Sequence, residues 1–233
     1  MRRVLTIAAL LLVGSTRFVH GQVQTPMHVG PFGGISDSLP ALDMPPELKA
    51  FIPSGFTLRA TMMTKMAPNG EEIFLYDDGE DVFPEIHLHA LHDRKDFSLF
   101  DRNIMAVRGL LPVTLHDGTQ LLGFAYGRAG DGADTRFVIF SFENQGYRSI
   151  FERATTEGRM RVLSSSPLRF EVWSADETMD KAGESCVWCA HRYRVITYEF
   201  NGDSFDVIGM RTTRKYLDPS EVANGTFIVV SQK

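Results

Sequence analysis

From residue 56 onward, short runs of Val, Ile, Phe, Tyr and Thr alternate with polar residues and are separated by Gly, Asn and Asp. This period-two pattern with turn residues between the runs is that of half-buried strands. It predicts strands at 56–62, 72–76, 85–91, 121–126, 136–142, 147–151, 159–163, 169–173, 193–200, 205–210 and 226–230. The segment 136–142 (RFVIFSF) is almost wholly apolar, as expected of a central strand covered on both faces. Asn201-Gly202 joins YRVITYEF to SFDVIGM, and Asn144-Gln145-Gly146 joins the preceding strand pair. Both are hairpin signals, because Asn and Gly accept the positive φ angles of primed turns. Ahead of the strands, 45–51 (PPELKAF) has a proline at a helix start, helix formers after it and Pro53 as a stop, which predicts one short N-terminal helix. Residues 22–43 carry Pro26, Pro31, Gly33, Gly34 and Pro40 without periodicity and read as an extended linker or arm.

The expected fold is therefore mainly β, a single domain over 44–233 made of antiparallel hairpin and meander units arranged like propeller blades or a sandwich. An internal similarity suggests two such units, at about 55–117 and 118–233. Asn69-Gly70-Glu71-Glu72 followed by IFLY aligns with Asp131-Gly132-Ala133-Asp134 followed by a strand, at an offset of 62 residues, and each turn also follows a strand-like stretch. At these residues the chain resembles secreted bacterial proteins with FG-GAP or VCBS-type repeats, in which a D-x-[DN]-x-D-G-x-x-D turn precedes a hydrophobic strand. Asp131, Gly132 and Asp134 match the later part of that turn, while Gly127 and Ala129 stand in place of its first two oxygen ligands. In the first copy Asn69, Gly70 and Glu72 remain. The resemblance implies a blade-like fold and export, and makes Asp131 and Asp134 candidate Ca²⁺ ligands in a site short of the six to eight oxygens that ion takes.

The amino terminus bears on compartment. Met1-Arg2-Arg3 precedes an apolar run from Val4 to Gly14, and Val19-His20-Gly21 offers small residues at the positions a signal peptidase reads. Residues 1–21 are read as a secretory signal peptide cleaved near Gly21/Gln22. The run is well short of the roughly twenty residues a membrane span needs, and no later segment is longer, so no membrane span is expected. Loss of Arg2, Arg3 and Arg17 takes the formal charge from −5 to −8. An acidic exported chain has no basic excess for phosphate backbones, so nucleic acid is not an expected partner.

Two clusters could carry chemistry. Cys186-Val187-Trp188-Cys189-Ala190-His191 holds the only two cysteines. In an oxidising compartment they would form a local disulfide. Ala190 stands where haem attachment requires His, and the strand that follows is not the helix a thioredoxin-like pair uses to lower its thiol pKa. Zinc held by Cys186, Cys189 and His191 lacks a second Cys/His pair. The other cluster is His87-Leu88-His89-Ala90-Leu91-His92-Asp93. Histidines two apart on a strand share a face, so His87 and His89 could bind one Zn²⁺ ion with His92 approaching from the strand end, and His116 or His191 as further ligands. The spacing is similar to the metallo-β-lactamase H-x-H-x-D-H motif, with Leu91 in place of its Asp and without that family's helices. The alternative is plain alternation, with Ile86, Leu88 and Ala90 in the core and both histidines facing solvent. Asp77-Asp78-Gly79-Glu80-Asp81 reads as a solvated acidic turn.

No Gly-x-Ser-x-Gly elbow and no phosphate-cradling loop with its Lys-Ser/Thr ending is present, so no catalytic set is assigned. The sequence thus predicts an exported, soluble, β-rich binding or structural module of a bacterial envelope or periplasm, with an undefined ligand or envelope protein as partner and no obligatory cofactor. The alternatives are a zinc-dependent hydrolase using His87, His89 and His92, and a thiol–disulfide protein using Cys186 and Cys189.

Overall fold

A computed structural model describes residues 39–80, 84–104, 106–127, 134–176, 189–223 and 228–229. Twelve strands form three antiparallel meanders in chain order. The first sheet comprises β1 (Thr57–Thr64), β2 (Glu71–Asp77), β3 (Glu85–His92) and β4 (Lys95–Asn103). The second comprises β5 (Ala106–Thr114), β6 (Gln120–Gly127), β7 (Asp134–Glu143) and β8 (Gly146–Thr156). The third comprises β9 (Arg159–Ser165), β10 (Leu168–Ala175), β11 (Tyr193–Phe200) and β12 (Phe205–Thr212), with the two-residue β13 (Ile228–Val229) added parallel to β9. A short helix α1 (Pro219–Ala223) follows β12. The mainly β, meander-built fold expected from the alternation is the one observed. No helix among the described residues is long and apolar enough to cross a membrane.

Alternation along each strand decides how the sheets stack. On β2, Ile73 and Leu75 join Leu122, Phe124, Val138 and Phe140 of the second sheet in one core. On the opposite face of the second sheet, Leu121, Ala125, Phe137 and Ile139 meet Phe170, Val172, Ile196 and Tyr198 of the third. The second sheet is therefore the middle layer, which is why β6 and β7 are apolar at successive positions rather than at every other one. The outer face of the first sheet packs Phe74 and Tyr76 under Leu48 and Ile52. The outer face of the third packs Trp173 and Tyr193 under Val222 of α1. Phe137 is fully buried between two layers; Phe137→Ala is expected to lower the unfolding free energy by about 3–5 kcal/mol, read as a lower urea midpoint, because the site is closed on both sides.

Some sequence readings need correction. Residues 45–52 form hydrogen-bonded turns instead of the predicted helix, with one i to i−4 bond, Ile52 N–H to Leu48 O. Pinning Leu48 into the core beneath β2 holds the segment without a regular helix. The two-unit division is also replaced. The sheets begin at Thr57, Ala106 and Arg159, a period of roughly 50 residues, and the boundary at 117/118 falls in the β5–β6 turn inside the middle sheet. The two aligned turns are not equivalent, since Asn69-Gly70 links β1 to β2 and the second lies between β6 and β7. In the first, the buried carboxylate of Glu71 accepts from the Thr64 hydroxyl and from the Met66 and Ala67 N–H groups, so it closes the loop on itself. Asn144 and Gln145 both have positive φ and make the two-residue turn the sequence signals, while Asn201-Gly202 opens a four-residue loop in which Asn201 Oδ1 accepts from two backbone N–H groups.

Candidate metal centre

On β3, residues 85, 87, 89 and 91 share the face turned away from the middle sheet, and β2 places Tyr76 and Phe74 opposite His87 and His89. The register with β4 is unusual. His87 lies opposite Asp101, Leu88 opposite Phe100, and His89 opposite Ser98, leaving Leu99 as an extra residue. This bulge changes what β4 presents. Without it, Asp101 and Ser98, three apart, would point to opposite faces; with it, Asp96, Ser98 and Asp101 all reach the histidine face.

The side chains converge. Asp101 Oδ1 accepts from His87 Nδ1 at 2.7 Å and from His89 Nε2 at 2.8 Å. His89 turns its other nitrogen to a second carboxylate, Nδ1 to Asp96 Oδ1 at 2.8 Å, while His87 Nε2 lies 3.3 Å from Glu85 Oε1 without hydrogen-bond geometry. Ser98 donates to the remaining oxygen of Asp101. The Tyr76 ring stacks on His87 with centroids 4.7 Å apart, Phe56 closes on the same ring edge-on, and the Tyr76 hydroxyl lies 3.3 Å from His89 Nε2. His89 is buried, whereas 39% of the Asp101 side chain is exposed, so the cluster has apolar walls and one open side. Burial pushes the Asp101 carboxyl upward, but hydrogen bonds from Ser98, His89 and His87 outweigh it and hold the group below the usual carboxylate range. Burial, followed by the nearby Asp96, Asp101 and Glu85 charges, pushes the Tyr76 phenol well above its ordinary value, so it stays protonated at neutral pH.

Ligand atoms of His87, His89 and Asp101 all lie within 4.8 Å of one another. Among the described residues this is the one group of His, Cys, Asp and Glu side chains that can hold an ion. A tetrahedral zinc with Zn–N bonds near 2.0–2.1 Å sets its ligands about 3.3 Å apart, a spacing inside the 4.8 Å over which these atoms gather.

No family model, no curated protein and no solved structure matches the chain. The site must be read from its own geometry.

The other predicted residues lie elsewhere. His92 is on the opposite face of β3, its Nδ1 3.1 Å from the Gly70 carbonyl and its ring against Phe142 of the middle sheet. It cannot share an ion with His87 and His89, because an odd separation along a strand reverses the face. His116 is exposed in the β5–β6 turn. His191 is buried in a bridge to Leu217, 3.3 Å from Glu157. Asp134 opens β7 opposite Thr156, and Asp131 lies outside the described residues. Cys186 also lies outside them, and Cys189 is an exposed residue just ahead of His191. Asp77 pairs with Arg59 through both carboxylate oxygens, and Asp78 accepts from the Glu80 and Glu85 N–H groups, so the acidic turn organises the start of β3. The sequence reading missed Asp96 and Asp101, for want of β4 as a strand. Their only local signal is the acidic, hydroxyl and apolar alternation of DFSLFD, which the bulge interrupts.

Proposed function

We propose that the chain is an exported β-stack module that binds one divalent transition-metal ion, zinc foremost, through His87, His89 and Asp101. The observation that carries this reading is the direction of the four imidazole nitrogens. The inner two meet on a single Asp101 oxygen, while the outer two face Asp96 and Glu85. Carboxylates behind histidines fix the tautomer and ring orientation in metal sites and raise ligand basicity. Imidazole with carboxylate suits zinc and its borderline neighbours better than Ca²⁺, which takes oxygen ligands. The contacts of His87 Nδ1 and His89 Nε2 with Asp101 occupy the place an ion would take, and since imidazole and carboxylate must be deprotonated to ligate, loading displaces any proton held there. Three protein ligands leave a position for water or for a ligand group of the partner.

A hydrolase built on His87, His89 and His92 would need all three on one face, and His92 points into the interface with the middle sheet. Export rests on the charged and apolar pattern of residues 1–21 and on the resemblance to FG-GAP and VCBS-type proteins. Cys189, the one cysteine among the described residues, is not free, which is in keeping with a structural Cys186–Cys189 bridge in an oxidising compartment.

Calorimetric titration of the mature chain with zinc tests the proposal. One equivalent is expected to bind, with a heat that varies with the buffer's ionisation enthalpy because protons leave. Asp96→Asn, which removes only the carboxylate behind His89, is expected to weaken binding about 10–100-fold while keeping one equivalent. An Asp96→Asn protein that binds zinc as tightly as the parent would remove the orienting role assigned to Asp96, and a parent that takes up no zinc would end the proposal.

A further inference from the structure

Four large apolar side chains are strongly exposed among the described residues: Met63, Val207, Ile208 and Met210. Three of them lie within four positions on β12, an outermost strand of the third sheet. They are 57%, 50% and 67% exposed, and among the described residues one side of the strand has no neighbour in the sheet. Soluble proteins usually blunt such an edge with charges along its length. Here the centre of the strand, VIGM, carries none, and the charges sit at its two ends.

The order of those charges selects the occupant. Asp206 precedes the apolar centre and Arg211 follows it. Two copies of β12 running antiparallel about a two-fold axis would place Asp206 of each beside Arg211 of the other, and Val207 of each beside Met210 of the other. Residues opposite one another across an antiparallel pair must share a face, and in a regular strand 206 and 211, or 207 and 210, would not. A second bulge removes the conflict. Gly209 lies opposite Thr197 and Val207 opposite Tyr198, leaving Ile208 as the extra residue. Val207 and Met210 therefore lie opposite Tyr198 and Ile196, both on the face toward the middle sheet. Arg211 lies opposite Val195, on the outer face, and Asp206 opposite Glu199 on that same face. The bulge thus turns an odd spacing into a face-matched one for both pairs.

We infer that the chain self-associates as a two-fold dimer through antiparallel pairing of β12 edges, extending the third sheet across both copies. Such an isologous contact closes on itself and consumes the open edge, so it does not propagate. The inference is independent of the metal site.

Native mass spectrometry and light scattering of the mature chain over a concentration series test it. The parent is expected to be dimeric. Asp206→Arg and Arg211→Asp should each shift the population to monomer by placing like charges side by side, and the double variant D206R/R211D should recover the dimer because the exchange restores opposite signs. Arg211 also donates to Glu171 within its own sheet, so Ile208→Lys provides a variant that leaves this pair intact; it too should lose the dimer with an unchanged circular dichroism spectrum. A parent that stays monomeric at every concentration overturns the inference. So does a dimer that survives Ile208→Lys, or a monomer whose β12 edge is filled by a peptide strand of another protein.

Discussion

His89→Ala is expected to abolish zinc uptake at concentrations that saturate the parent, a larger effect than the loss of an orienting carboxylate. The reason is its central place. Among the described residues His89 is the side chain hydrogen-bonded to both Asp96 and Asp101, and its Nε2 is one of the three atoms assigned to the ion. Removing it leaves two ligands and two partly exposed carboxylates without their shared donor. The ion-free protein should also lose stability, on the order of 1–3 kcal/mol, because partly desolvated acceptors are left unmatched. These consequences separate in the laboratory. Zinc titration followed by dye competition reads the first, and a urea midpoint in the presence of EDTA reads the second. His87→Asn guards against an unfolded variant, since His87 is more exposed and its removal keeps the His89–Asp96 pair; it too should lose zinc. If either protein stays folded and still binds one equivalent with parental affinity, the assigned ligands are wrong.

The second large effect is expected at Gly158, in the connection that carries the chain from the middle sheet to the third. A Cβ built on Gly158 would lie 2.1 Å from the Trp173 carbonyl oxygen and 2.4 Å from Thr155 Oγ1. The first of these is backbone in the centre of β10 and cannot swing aside. Gly158→Ala must therefore displace either the connection or the strand, at or above the upper end of the roughly 1–3 kcal/mol that overpacking costs. The site is well placed for a readout, because Trp173 stacks against Arg159 at 4.2 Å and its indole N–H donates to Glu171. A lower melting temperature with altered tryptophan emission is expected, and an unchanged melting temperature would contradict the close approach.

How far this could be read in advance varies along the chain. The strands whose alternation or apolar run is unbroken, such as β7 and β11, stand out because burial on a sheet face imposes a period of two, or none where both faces are covered. The middle position of the second sheet follows from the same run, once 136–142 is known to be apolar on both sides. β4 and β5 do not stand out. β4 begins with a turn of Asp93 and Arg94, both at positive φ without a glycine, and its alternation is broken by the extra Leu99. β5 contains Gly109 and Pro112, which argue against a strand until it is seen to lie at a sheet edge, where a missing N–H costs little. The candidate site divides the same way. The pairing of His87 with His89 is local and was legible, whereas Asp101 and Asp96 join them only through the hairpin register and its bulge. His92 departs from the expectation for the complementary reason: nearness in sequence sets it beside the pair, and strand parity sends it to the other face. The stacking of three sheets in chain order depends on which faces meet, and no single strand encodes that.

The central claim is that one ion sits among His87, His89 and Asp101, and anomalous diffraction at the zinc edge from crystals of the mature chain grown with zinc tests it most directly. The account predicts a single strong peak within bonding distance of His87 Nδ1, His89 Nε2 and an Asp101 oxygen, with Asp96 still behind His89. Zinc-containing crystals with no peak there, or with Asp101 still bridging the two imidazoles by hydrogen bonds alone, would contradict it.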